Sequence, residues 1–520
     1  METKIIDLNK CSIGIELGST RIKAVLIDNT FNVLASGSHV WENEYKDGYW
    51  TYSLMNIEKG IKDCYSSLKL DFFKKYHQVL THVASIGISG MMHGYLVLDE
   101  NDHLLTPFRT WRNNTTNDAA TLLSNLFDFN IPQRWSIAHL YQAYLNKETH
   151  IKDIKYLTTL AGYIHYRLTG EKVVGIGEAS GIFPIDNKTN NYNEKMAKQF
   201  FELTNIDIYK LFPKVLLAGQ EAGKLTKYGA LFLDPDGDLK EGIPLCPPEG
   251  DAGTGMVSTN SIKIGTGNIS VGTSDFAMIV TDKYLRPHPE IDMVTTPTGD
   301  TVAMVHCNNC TSDINAWVNL FSEFASLFDL TINKNDLYTK LFRTSLEGDD
   351  DYEGIININY FSGENITNIK NGFPLLVRNP QSKFSLANFM RAQLLSSLAT
   401  LKIGLDILTQ EENIKIDKIY AHGGLVKTPS VGQTFISSAI GCEVSIMDNA
   451  AEGGAFGIAL LAQYLKHNDV SLVDYLTNCV FKNNKEITIL ATKEQMEGFK
   501  KYLLKYKEII KAEKLIEEVY

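Results

Sequence analysis

The chain lacks long hydrophobic runs: none of its 520 residues sits in an uninterrupted apolar stretch near the ~18 residues of a membrane span, so no membrane partner is expected. No secretory leader is legible either, since the opening METKIIDLNK mixes both charge signs. Cysteines are few and odd in number: seven, at Cys11, Cys64, Cys246, Cys307, Cys310, Cys442 and Cys479. That scattered set argues against a disulfide framework and for reduced thiols in a cytoplasm. Positive charge is also short, with 50 Lys and Arg against 61 Asp and Glu and a formal net charge of −11. A protein that holds nucleic acid electrostatically is therefore not expected. The tight spacing Cys307-Asn308-Asn309-Cys310 has no second pair anywhere to complete a tetrahedral zinc site, so buried or loop thiols are expected there.

What is present is ordinary globular composition, 44% hydrophobic and 21% charged, in a chain too long for one core. Residues 12–17, 21–27 and 32–40 read as a strand meander with tight turns. A helix is expected over 56–70, a strand over 83–89, and mainly helix over 118–170, with a helical run at 150–168 ended by Gly170. Strand–turn–strand grammar restarts after the stretch 244–255, with short strands at 261–264, 268–271 and 276–280. Helices dominate after 386, broken by a strand at 418–421, and a charged amphipathic helix covers 493–518. This pattern predicts an α/β protein of two related lobes, 1–250 and 251–520, with mixed sheets flanked by helices. Asp234-Pro235-Asp236-Gly237-Asp238 resembles a calcium loop only faintly. Its glycine is out of place, and Leu245 stands where the bidentate Glu belongs. It and the acidic stretch 347–353 are expected to be solvated loops.

Four glycine turns could approach phosphates closely. They are Gly18-Ser19-Thr20 after Glu16; Gly265-Thr266-Gly267, with Gly272-Thr273-Ser274 one strand later; His422-Gly423-Gly424; and Glu452-Gly453-Gly454-Ala455 at a helix start. Gly250-Asp251-Ala252-Gly253 places a carboxylate between glycines, which suits a general base acting on a hydroxyl, although such a turn alone is more often structural.

In order along the chain, IGIELGSTRIKAVLID, GISGMMHG, TWRNN, YRLTGE with EASG, PEGDAG, IGTGNISVGTS, YFSGEN, HGGLVKTPSVGQ and AEGGAFGIALLA resemble the FGGY carbohydrate kinases, with GISGMMHG most similar to xylulokinase-like members. The resemblance implies two actin-like (ribonuclease H-like) lobes, sugar deep in the cleft between them and ATP mainly on the C-terminal one. It implies Asp251 as catalytic base and Glu16 with Asp251 at Mg²⁺. Around the sugar it places Met92, His93, Trp111, Arg112, Asn113, Glu178 and Asp251. To ATP it assigns Gly18, Ser19, Thr20, Lys23, Gly265, Thr266, Gly267, Gly423, Gly424, Lys427 and Thr428.

The implied activity is phosphoryl transfer from ATP to a small sugar, foremost the ketopentoses xylulose and ribulose; fuculose, rhamnulose, gluconate and glycerol are other acceptors of the family. A homodimer is among the assemblies it allows. The family carries Asp where this chain has Glu16, Asn113 and Glu178. Those departures keep open a non-catalytic sugar- or nucleotide-binding regulator on the same fold. An actin-type ATPase is a third reading, disfavoured by GISGMMHG and TWRNN.

Overall fold

The computed structural model describes residues 5–350, 352–447 and 453–519. The chain forms two compact units, one of 1–262, 286–302 and 451–483, the other of 263–285, 303–450 and 484–520. Glu452 of the fourth glycine turn and Asp351 of the acidic stretch lie outside the described residues.

In the first unit the sheet runs, from one edge, Glu249–Gly250, Ser85–Gly90, Ser12–Leu17, Arg21–Ile27, Val33–Val40. Ser12–Leu17 pairs antiparallel with Arg21–Ile27 and parallel with Ser85–Gly90, so the meander gives way to parallel neighbours. The central strand reads Ser-Ile-Gly-Ile-Glu-Leu. Ile13, Ile15 and Leu17 are fully buried on one face, and the alternate residues lie on the other. That second face takes the helix Gly453–Tyr464, and Gly14 permits the approach: a Cβ there would stand 2.1 Å from the Ala455 carbonyl oxygen. The opposite face takes Leu54–Tyr76, where Gly37 plays the same part against Cys64 and Leu68.

The second unit repeats this order. Its sheet sets Asp275–Thr281, Thr266–Val271, Lys418–Gly423, Glu443–Met447 and Glu486–Ile489 side by side, and residues 303–307 flank Asp275–Thr281. Thr266–Val271 is antiparallel to Asp275–Thr281 and parallel to Lys418–Gly423, as in the first unit. The C-terminal helix Lys493–Glu517 belongs to this unit and buries Tyr502 and Tyr506 completely; the Tyr502 hydroxyl donates to the carbonyls of Asn357 and Ala392.

Several expected elements change. Residues 261–264 form no strand, because Ser261 wraps back on the preceding helix, its hydroxyl donating to the Met256 carbonyl. The run 150–168 is helical only over Leu160–Thr169, which Thr159 caps at its start and Gly170 ends at φ 79. A 3₁₀ turn, Thr149–Asp153, and a short strand, Tyr156–Thr158, occupy the rest. In the acidic turn 234–238 the cation is internal. The Lys69 ammonium lies 2.8 Å from Asp234, 2.9 Å from Asp236 and 2.8 Å from Asp238. No described helix is long and apolar enough to cross a membrane.

Candidate active site

The candidate residues Glu16, Met92, His93 and Asp251 gather at the C-terminal ends of the parallel strands in the first unit, the usual location for ligands in such sheets. Glu249–Gly250 leads directly into the helix Asp251–Ser258, so Asp251 is its first residue and the helix N-terminus favours a negative charge there. The Met92 N–H donates to Asp251 Oδ1 at 3.3 Å. Burial raises Asp251 to about 6, against the pull of that N–H. A carboxylate in this range is poised to accept a proton near neutrality.

Glu16 stands near the end of the central strand, opposite Lys23 on one side and Ser89 on the other. Burial first, and then the neighbouring Asp251 charge, raise it to about 7. Lys23 and the N–H groups of Ala455 and Gly454 pull the other way. Gly454 lets the helix start approach the carboxyl closely, since its Cβ would stand 2.4 Å from Glu16 Oε1. Beside these acids the hydroxyls of Ser89 and Thr254 are hydrogen-bonded at 3.0 Å. The described residues hold no cluster of three or more candidate metal ligands. Two carboxylates with nearby hydroxyls nevertheless fit Mg²⁺, which keeps several waters and is commonly held by one or two carboxylates plus substrate phosphates.

His93 and Gly94 follow in left-handed conformation, φ 69 and 103, so the chain turns sharply at the end of Ser85–Gly90. A non-glycine residue held there is a costly feature typical of functional sites. His93 Nδ1 donates to the Gly181 carbonyl at 3.3 Å, and its ring stacks on Trp135. Burial lowers its pKa well below the usual value, so the ring is neutral and Nε2 remains an acceptor. Met92 packs over Gly250 and is nearly buried.

The turn Gly18-Ser19-Thr20 has every carbonyl engaged. Trp41 Nε1 donates to Gly18, the Tyr52 hydroxyl to Ser19, and the Trp41 N–H to Thr20. The Ser19 and Thr20 N–H groups have no partner among the described residues, which leaves an anion cradle. The second unit builds the same device at Gly272-Thr273-Ser274. There Thr311 donates to the Gly272 carbonyl through both N–H and hydroxyl, and the Cys310 N–H donates to the Thr273 carbonyl. Val271 pairs with Gly423, so the turn and the loop after Gly423 share one end of that sheet. Gly423 adopts φ 105, and a Cβ on it would stand 2.4 Å from the Val271 carbonyl oxygen. Thr428 is buried and Lys427 exposed in the same loop.

Three of the expected site groups have their side chains engaged within the chain or lie away from the open turns. Thr266, with Gly265 and Gly267, starts the strand Thr266–Val271, a full strand length from the anion turn. Its hydroxyl donates to the Lys263 carbonyl at 2.7 Å, and Gly265 is closed off by Asp417. Gly272-Thr273-Ser274 holds the place expected of it. The two G-T pairs lie seven residues apart, and only knowing where the strand runs separates them. The Asn113 amide is engaged by backbone: its Oδ1 accepts from the Trp50 N–H at 2.8 Å, and its Nδ2 donates to the Trp50 and Thr110 carbonyls at 2.8 and 3.0 Å. Its neighbours Trp111 and Arg112 are exposed, Arg112 stacking on Trp50 at 4.1 Å and donating to Asn43. Glu178 is 0% exposed, packed against Gly250 with Met92. Burial, opposed by the Thr159 hydroxyl, holds its carboxyl well above the usual range.

Glu249 is a site residue that the sequence reading missed. Its fully buried carboxyl accepts from the Glu178 N–H at 2.9 Å and the Gly177 N–H at 3.3 Å, and burial raises it to about 8. An acid two residues before Asp251 was the available signal. Cys307 and Cys310 are free, buried thiols beside the buried Asp275.

Residues 11–257 match the N-terminal domain of the FGGY family of carbohydrate kinases, and 267–465 match its C-terminal domain. A xylulose kinase of Haemophilus influenzae is 24% identical over 476 residues, covering 87% of this chain and 90% of that protein. Among solved structures, a xylulose kinase from Rhodospirillum rubrum superposes with a TM-score of 0.79 at 16% identity, covering 96% of this chain and 98% of that one. A gluconate kinase from Lactobacillus acidophilus gives 0.78 at 18%, with the same coverage. The two domain matches together span most of the sequence, and the chain belongs to the FGGY family of carbohydrate kinases.

Proposed function

We propose that this carbohydrate kinase transfers the γ-phosphate of ATP to the terminal hydroxyl of a ketopentose, xylulose before ribulose. The observation that carries the reading is Asp251, which opens a helix, accepts the Met92 N–H and stands beside Glu16. The xylulose kinases among the relatives support the choice of sugar. When bound, ATP supplies the phosphoryl group and Mg²⁺ offsets the charge on its oxygens.

The chain's own residues do the rest. His93 Nε2 accepts a hydrogen bond from a sugar hydroxyl, and Met92 packs against the carbon chain. Asp251 takes the proton from the attacking hydroxyl, a contribution typically worth ~10²–10⁴ in rate. Glu16 holds the metal, with Asp251 as its second carboxylate. The free N–H groups of Ser19 and Thr20, with Lys23, receive phosphate oxygens, and Thr273 and Ser274 do the same in the second unit. The loop carrying Gly423, Gly424, Lys427 and Thr428 takes the adenosine.

Sugar-dependent ADP release across a panel of ketopentoses, ketohexoses, polyols and aldonates tests this. Ketopentoses, with xylulose first, are expected to give the highest kcat/KM. A clear preference for an aldonate or polyol would overturn the sugar assignment, and no sugar-dependent release would favour a binding regulator.

A further inference from the structure

Close to Asp251 lie two more acids, Glu249 and Glu178, both buried. Glu249 sits at the sheet edge, its strand paired with Ser89 and Gly90. Its carboxyl reaches across to the short turn Ile176–Ala179 and accepts from the N–H groups of Gly177 and Glu178, at 3.3 and 2.9 Å. The turn is shaped around that carboxyl. A Cβ on Gly175 would stand 2.2 Å from Glu249 Oε1, and one on Gly177 2.5 Å from Oε2. From the other side Thr295 braces it, its hydroxyl donating to the Ile176 carbonyl and its N–H to Ser180 Oγ. The turn thus has one setting, and Glu178 has one place to go. Its Oε2 lies 2.5 Å from where a Gly250 Cβ would be, wedged against Gly250 with Met92. Gly250 precedes Asp251, and Met92 donates the N–H that Asp251 accepts.

We propose that Glu249 is a positioning residue for Asp251, acting through the Gly177–Glu178 turn to fix the wedge under Gly250 and Met92. The inference rests on Asp251 being the base. Misplacing a reacting group by ~1 Å costs up to 10²-fold in rate; loosening a wedge one residue away should cost part of that. The effect falls on turnover, because both acids are buried.

The test uses the full-length enzyme with its sugar and ATP. Glu249→Ala is expected to lower kcat about tenfold while the KM values for sugar and ATP stay within about twofold. Glu249→Gln keeps an acceptor for the Glu178 N–H and should recover kcat to within about threefold of the parent. Gly177→Ala drives a methyl into the clamp and should reproduce the loss with Glu249 intact. The double variant Glu249→Ala/Gly177→Ala should be no worse than Glu249→Ala alone, since both act through one contact. Unchanged kcat in either Glu249→Ala or Gly177→Ala overturns the proposal. So does a loss carried by sugar KM, or additive losses in the double variant. Asp251→Asn, run alongside, separates the failures. Near-normal turnover there removes the base assignment itself, whereas a dead Asp251→Asn beside a normal Glu249→Ala removes only the role of Glu249.

Discussion

The two glycine turns, Gly18-Ser19-Thr20 and Gly272-Thr273-Ser274, occupy the same place in two sheets of the same order. Both tie down their carbonyls and leave N–H groups for an anion. Their flanks differ. Two residues before the first turn stands Glu16, and Lys23 faces it across the hairpin. The matching cross-strand pair in the second unit is Ser270 and Phe276. One position nearer the turn, Ile22 opposite Leu17 in one unit answers to the buried Asp275 opposite Val271 in the other, which is enclosed by Cys307 and Cys310. A repeated backbone supplies repeated phosphate N–H groups. The carboxylates proposed to hold a metal and move a proton, Glu16 and Asp251, flank the first turn.

The largest effect that would break this contrast is at Glu16. Glu16→Gln is expected to raise the Mg²⁺ concentration for half-maximal rate by roughly 10–100-fold, measured by magnesium titration of ADP release. An unchanged requirement would show that the first turn has no special claim on the metal.

Next is pH. Burial raises Asp251 to about 6 and Glu16 to about 7, so both carboxyls keep their protons to higher pH than free acids do. kcat/KM should therefore climb as pH rises from 5 to about 8, then level off. Below pH 6, where both carboxyls are mostly protonated, it should fall by more than tenfold per unit. A flat profile down to pH 5 contradicts the assignment of the base.

Smaller effects sharpen the second turn. Thr273→Ala, which removes a hydroxyl proposed to join the turn's N–H groups at the phosphate, should raise the KM for ATP about fivefold, the worth of one hydrogen bond near ~1 kcal/mol. Thr266→Ala should stay within about twofold, since its hydroxyl serves only the Lys263 carbonyl. The reverse order would return the phosphate role to Thr266.

Much of this was legible in the sequence. Alternation in Ser12–Leu17 and Arg21–Ile27 set both strands at their observed ends, and Gly170 closed its helix as expected. The motif order carried Asp251, Glu16 and His93 to one neighbourhood. What could not be read was which polar groups are spent internally. Asn113 exhausts its amide on the Trp50 backbone, and Lys69 fills the acidic turn across 165 residues of chain. Glu178 looked like a pocket residue because motifs mark neighbourhood, not depth. Glu249 escaped notice for the complementary reason: its partners, Gly177 and Glu178, lie more than seventy residues back along the chain.

The most direct test of the central claim is Asp251→Asn with xylulose, pairing sugar binding by calorimetry with sugar-dependent ADP release. Retained sugar affinity with kcat reduced by at least ~10²-fold is the predicted result. Turnover near that of the parent enzyme would contradict it.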